Sequence, residues 1–243
     1  MGDEGEKTGF EYVFYSSIIV IGMLTNGFII SMFCFEKKLR TVTNYFVVNL
    51  AVSDFFLNLE LILWLLAFRF SDQIEIPLRI YNNIVTSFLT LGLSASPASL
   101  VVVSFDRYYA ITQPLRYNSF FTHRRAVFFI VGIWVYATIM YLLNWLQLAR
   151  LPEYPKVMVT LLAVGNFLIP LCAVAFFYCR ILKAALSHLR HTARIFEDED
   201  SAGPLRRRQF HVARNVMLLV FPLVVVCSTY YIFLLLVSLD GSR

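Results

Sequence analysis

The sequence predicts an all-α fold: an integral membrane helix bundle with six transmembrane helices. Three observations carry that expectation. Of the 243 residues, 58% are hydrophobic and 15% charged, whereas soluble domains run at about 25% charged. Apolar runs of about 20 residues, the length a helix needs to cross a bilayer, recur six times along the chain. Basic residues collect in alternate connections between those runs. A net charge of +5 in a soluble protein would suggest nucleic acid as a partner. Here the basic residues flank apolar spans, so membrane lipid is the expected surroundings and no nucleic acid is expected.

The six spans are expected at 12–35, 44–68, 78–109, 125–147, 157–186 and 211–238, forming one transmembrane domain over 12–238. The first follows a polar, acidic segment, 1–11, which lacks the basic start of a cleaved signal peptide. Lys37, Lys38 and Arg40 join the first and second spans, and Arg107, Arg116, Arg124 and Arg125 join the third and fourth. Arg180, Lys183, Arg190, Arg194, Arg206, Arg207, Arg208 and Arg214 flank the fifth and sixth. The positive-inside rule makes these connections cytoplasmic. The N-terminus is then extracellular, 187–210 is the third cytoplasmic loop, and 239–243 is expected outside. That third loop runs from Glu197-Asp198-Glu199-Asp200 to Arg206-Arg207-Arg208. It reads either as a solvated loop or as an electrostatic surface for a cytoplasmic partner or anionic lipid. The four cysteines, Cys34, Cys172, Cys179 and Cys227, all lie in apolar segments and are expected to be buried free thiols. No internal repeat supports an inverted-repeat transporter.

Polar residues inside the spans carry the functional signal, since each is expensive at membrane depth unless it is paired or solvated. The second span holds Asn49, Asp54 and Glu60; the first holds Asn26; the third holds Thr90 and Ser96; the fourth holds Trp134. Pro170 in the fifth span leaves the carbonyl of Asn166 without its helical donor. The third span ends in Ser104–Tyr117, SFDRYYAITQPLRY, with the triplet Asp106-Arg107-Tyr108 and then Pro114-Leu115. Arg107 stays charged and needs a partner at the membrane edge, which Asp106 can supply. Their bland alternative is an interfacial snorkelling pair, and that of Asp54 is hydrogen-bonding glue between helices.

Taken together, these residues resemble the rhodopsin-like (class A) G protein-coupled receptors. The resemblance covers nearly all the spans and implies a seven-helix receptor fold, no enzymatic activity and a plasma-membrane location. It implies ligand binding in the outer half and heterotrimeric G protein coupling around Asp106, Arg107, Tyr108, Pro114, Leu115 and Tyr178. Leu115 resembles the hydrophobic knob that enters the G protein, and Tyr178 the tyrosine that swings toward the third-span arginine. No cofactor is implied apart from a sodium ion in a water pocket around Asp54, with Asn26 and Ser96 beside it. Asn49 and Trp134 resemble the family's structural pair, and Pro170 its fifth-helix bulge. In amine receptors an aspartate stands where this chain has Leu89, so a bioamine held by that salt bridge is not expected. The ligand pocket expected here is mixed and mainly apolar, drawing on Glu60, Leu89, Thr90, Leu93, Asn166 and Tyr231, each with interhelical hydrogen bonding or packing as the alternative.

The departures from the family pattern are equally specific. Asn82 stands where the family has the third-helix disulfide cysteine. In the sixth span Ser228 and Tyr230 replace the Trp and Pro of Cys-Trp-x-Pro, Val224 replaces a Phe, and the proline is Pro222. Pro97 replaces an aliphatic residue of the third helix, and Phe210 and His211 stand where an acid often locks Arg107. The seventh helix with Asn-Pro-x-x-Tyr is missing by Arg243. Truncation, a splice or degenerate product, and a working six-helix protein are the three explanations. The functional alternatives are a non-signalling regulatory or binding membrane protein, including one that oligomerises with a full-length receptor, and then a small-solute transporter.

Overall fold

The structure, a computed structural model, describes residues 2–69, 78–145 and 161–195, residue 162 excepted. The described residues are helical throughout, joined by short turns. Helix α1 runs Gly2–Phe35, α2 Val42–Arg69, α3 Leu78–Thr112, α4 Pro114–Phe120, α5 His123–Trp145 and α6 Ile169–Ile195. Five of them carry stretches long and apolar enough to cross a membrane: Val13–Phe35, Val42–Leu63, Ser87–Thr112, His123–Trp145 and Val164–Ala184. The sixth expected span, 211–238, lies outside the described residues.

Local chemistry sets where these helices stop and start. After α1, the Glu36 carboxylate accepts from the Lys38 N–H at 3.4 Å and caps a single 3₁₀ turn, Lys37–Leu39. The Asn44 side chain reaches back to donate to the Leu39 carbonyl at 2.8 Å. Thr41 Oγ1 accepts from the Asn44 N–H at 3.4 Å and starts α2. Thr122 does the same for α5 by accepting from the Arg125 N–H at 3.4 Å. That cap is why α5 begins at His123, two residues before the expected start. Pro114 opens α4 at a position where its missing N–H costs nothing.

Three further features differ from expectation. Helix α1 starts at Gly2, so the polar segment expected ahead of the first span is continuous with it as helix. Helix α6 continues to Ile195, into the segment assigned to the third loop. Helix α4 is new: seven residues are two turns, too short to print a 3.6-residue period.

The chain divides into two compact units, within α3 at Ser99–Leu100 and at the start of α5. In the first unit α1 lies along α2, with Phe33 edge-on to Tyr45 at 5.1 Å between ring centroids. Phe46 is buried and meets Phe129 of α5 at 6.2 Å. Phe56 meets Trp134 at 5.8 Å. Glycines allow the closest approaches. A Cβ on Gly22 would stand 2.6 Å from Asn58 Oδ1, and one on Gly92 2.7 Å from Glu60 Oε2 and 3.0 Å from Leu57 Cα. This is small-residue packing of membrane helices, in which a missing side chain lets a neighbour in.

The outer faces are apolar. Leu24, Phe28, Phe128 and Ile169 are all exposed. Hydroxyls on those faces turn back on their own helix: Ser17, Thr25, Ser31 and Thr138 donate to carbonyls four residues earlier. With lipid outside, the helix backbone is the acceptor within reach. The cysteine expectation needs correcting: Cys34, Cys172 and Cys179 are free but exposed, not buried. A small apolar thiol is at no disadvantage on a lipid-facing surface. Cys227 lies outside the described residues.

The two glycine environments separate cleanly in a stability measurement. Gly92→Ala forces the Leu57 backbone and the Glu60 carboxylate to move, and is expected to destabilise the chain in detergent by about 1–3 kcal/mol. Gly132→Ala, where a Cβ meets nothing within 4 Å, is expected not to lower the melting temperature. Equal losses at both positions would contradict the packing described here.

Candidate functional site

Polar side chains in the first unit form three levels along the α2–α3 boundary. At the middle level Ser96 Oγ donates to Asp54 Oδ1 at 2.5 Å. Asn26, expected beside them, instead donates from its side chain to the Gly22 carbonyl of its own helix at 2.9 Å. Asp54 also has Asn58 nearby, whose amide donates to the Asp54 carbonyl at 2.7 Å. Toward the Asp106 end of α3, the Trp134 Nε1–H donates to Asn49 Oδ1 at 3.0 Å. The Asn49 amide in turn donates to Ser99 Oγ at 2.8 Å, and Ser99 donates to the Ala95 carbonyl at 2.7 Å. Ser53 lies against Ser99 at 3.3 Å and is fully buried. One amide thus satisfies the indole of α5 and a hydroxyl of α3 together.

At the third level Asn144 donates to Thr90 Oγ1 at 2.7 Å, both side chains buried. Thr90 is therefore tied to α5. Leu89 is half-buried, and Leu93 lies in the core. Glu60 is 3% exposed, and neither carboxylate oxygen has a side-chain donor among the described residues. Asn166 is buried on a π turn, Val164–Leu168, just ahead of Pro170. The turn absorbs the helical bond that Pro170 cannot make. Tyr231 lies outside the described residues, as do Phe210, His211, Pro222, Val224, Ser228 and Tyr230.

The second unit holds the Asp106-Arg107-Tyr108 triplet. Asp106 is fully buried, and the Tyr117 hydroxyl donates to its Oδ1 at 2.6 Å. Arg107 Nε stands 3.6 Å from Asp106 Oδ2, with the arginine side chain itself exposed. An aromatic cluster fixes α4 against this end of α3. Tyr109 stacks on Phe120 at 4.7 Å, Tyr117 stacks on Phe121 at 5.3 Å, and Phe105 meets both Phe120 and Phe121. Arg125 closes the cluster, 5.0 Å over the Phe120 ring and donating to the Phe120 carbonyl at 2.8 Å. With those rings facing inward, the opposite side of α4 points out, and Leu115 is 98% exposed. Tyr108 meets Phe177 of α6 at 5.5 Å, and Tyr178 stands beside Ser104 with Arg107 near.

Four partners had no assigned role in the sequence: Tyr117, Ser99, Asn144 and Asn58. Asn58 and Asn144 were findable, being amides inside apolar spans. Tyr117 was quoted only as the end of a motif, and nothing local marks it as the hydrogen-bond donor to a residue eleven positions earlier. Among the described residues no group of three or more His, Cys, Asp or Glu side chains is placed to hold a metal.

A family model described as "7 transmembrane receptor (rhodopsin family)" matches residues 25–242. The chain belongs to that family, whose members are membrane receptors and not enzymes. It is similar to the alpha-1A adrenergic receptor of Oryzias latipes, 32% identical over 182 residues, covering 71% of the chain and 38% of the relative. The alpha-1A adrenergic receptors of Rattus norvegicus and Homo sapiens are 30% and 28% identical over 183 residues, each matched over 39% of its length. The chain thus matches less than two fifths of the length of each of these three relatives.

The Asn49 network gives a direct test. Asn49→Leu leaves the Trp134 N–H without its acceptor, and Trp134→Phe removes that need. A double-mutant cycle in detergent is expected to show a coupling of about 1 kcal/mol, in the range of membrane hydrogen bonds. Strictly additive losses would mean that the indole bond contributes nothing.

Proposed function

We propose that this chain works as a ligand-operated receptor that couples to a heterotrimeric G protein through the α3–α4 end. The observation that carries the proposal is the division of labour around Asp106. The acid is fully buried and served by Tyr117, while its arginine neighbour is exposed and only loosely held. A guanidinium that is not needed to neutralise a buried acid outright can leave it for an incoming partner. Leu115, almost wholly exposed on a helix clamped by aromatic rings, offers the same partner an apolar contact. Pro114 fixes the start of that helix, Tyr108 packs the site onto α6, and Tyr178 stands ready to meet Arg107.

Ligand would be received in the first unit, toward Glu60, Leu89, Thr90 and Leu93. The relatives are adrenergic receptors, but Leu89 cannot pair with an ammonium, so this chain would hold its ligand differently. Asp54 and Ser96 supply two oxygens for a sodium ion, while the Asn26 amide donates to the Gly22 carbonyl. A sodium ion there would favour one packing of α2 on α3. Function is then a coupling free energy between an outer and an inner site. The basic connections after α1 and α3 support an extracellular N-terminus, and the receptor reading implies the plasma membrane.

Two measurements check this. G protein activation in cells expressing the chain is expected to fall to background in Arg107→Ala and to rise at rest in Tyr117→Phe, which loosens Asp106 and its grip on Arg107. Equal signals from the chain and Arg107→Ala would remove the coupling role and favour a regulatory membrane protein. An epitope at the N-terminus is expected to bind antibody on intact cells; binding only after permeabilisation would reverse the orientation.

A further inference from the structure

We infer that Glu60 is the anchor for a monovalent organic cation, an ammonium- or guanidinium-bearing ligand received between α2 and α3. The inference deepens the receptor proposal and rests on it for the ligand's role, though not for the site's existence. Three acids lie in the described membrane-crossing stretches: Asp54, Glu60 and Asp106. Ser96 serves Asp54, and Tyr117 serves Asp106. Glu60 is 3% exposed; its oxygens lie beside the Gly92 backbone, and neither has a side-chain donor among the described residues. An acid this buried is costly without a donor or counter-charge, so an unserved one marks a place for a partner.

The seat is built by Gly92. Any side chain there would begin 2.7 Å from Glu60 Oε2, so the bare α3 backbone is what leaves the carboxylate its position. Gly92 follows Leu89 by three residues, hence on the same face of α3. The carboxyl group therefore reaches that face from α2, one turn from a leucine that offers none. Glu60 is six residues from Asp54, or about 9 Å along the helix, which makes it a separate site from the Asp54–Ser96 pair. The chemistry selects the cation. A divalent metal needs several oxygen, nitrogen or thiolate ligands, and no cluster of such side chains occurs among the described residues. One carboxylate matches one ammonium or guanidinium through charge-assisted hydrogen bonds.

The test uses the full chain in native membranes and requires no knowledge of the physiological ligand. Dicyclohexylcarbodiimide, which attacks carboxyl groups in apolar surroundings, is applied with and without methylammonium, 2-phenylethylammonium or ethylguanidinium, and with neutral 2-phenylethanol. Peptide mass spectrometry then reads the label at Glu60 and Asp54. At least one cation is expected to reduce Glu60 labelling about tenfold, the scale of one charge-assisted contact, while Asp54 labelling is unchanged and the alcohol does nothing. Protection by no cation, equal protection by the alcohol, or equal protection of Asp54 overturns the inference. So does absence of Glu60 labelling without cation, which would mean the carboxyl is already sealed. As an independent check, the protecting cation is expected to raise the melting temperature of the chain but not of Glu60→Gln; an equal rise in both overturns it. No step needs a G protein. Protection without Arg107-dependent signalling would sink the coupling proposal alone, and signalling without protection would sink the Glu60 site alone.

Discussion

A polar group inside a membrane-length helix has no water to bond, and α3 is where this chain meets that constraint. Within Ser87–Thr112 an apolar 18-residue window is 61% buried, against 6% of the corresponding window in Val13–Phe35. Small hydroxyls are placed along it: Thr90, Ser94, Ser96, Ser99 and Ser104. Ser94, Ser99 and Ser104 each donate to the α3 carbonyl four residues back. Their proton spent there, such hydroxyls keep their lone pairs for a neighbouring helix, as Ser99 does for Asn49. Ser96 is the exception, since it gives its proton to Asp54. The bundle's specificity thus comes from small acceptors on one helix and large donors, Asn49, Asn144 and Trp134, on or through its neighbours.

Charge is handled differently from polarity. Asp106 is drawn fully inside and given a neutral donor, while Arg107 is kept outside and near. A buried pair in strict geometry would be costly to break. A buried acid with a phenol on one oxygen and a peripheral guanidinium on the other is easier to rearrange. Pairing strength and readiness to change pull in opposite directions, and the α3–α4 end is set toward readiness.

Much of this was legible in the sequence, for a definite reason. Asn49, Asp54 and Trp134 stand out because polar or amphipathic residues in apolar runs are rare, and their partners on other spans are few. For Asn26 the same rarity does not say which acceptor its amide takes, and it takes the Gly22 carbonyl of its own helix. Tyr117 was hidden because tyrosines are common at membrane edges and α4 was too short to be seen as a helix. The vacancy at Glu60 was visible only as a charge in an apolar run. That it faces a glycine and has no side-chain donor among the described residues is a fact of packing between α2 and α3, which no single span encodes. The exposed cysteines show the complementary limit: an apolar run does not say which of its sides faces protein and which faces lipid.

The π turn at Val164–Leu168 has a consequence for how this helix tolerates change. A wider turn holds about one residue more than an α-turn, so it acts as a phase joint between the chain before it and α6. Below it, Pro170, Val174 and Ile181 keep to a single buried face, in step with Asn166 across the joint. Removing one residue from the turn would restore a regular helix and swing Asn166 by about 100°, carrying a buried amide toward the apolar exterior. The length of this segment, and not only its composition, is therefore under structural constraint.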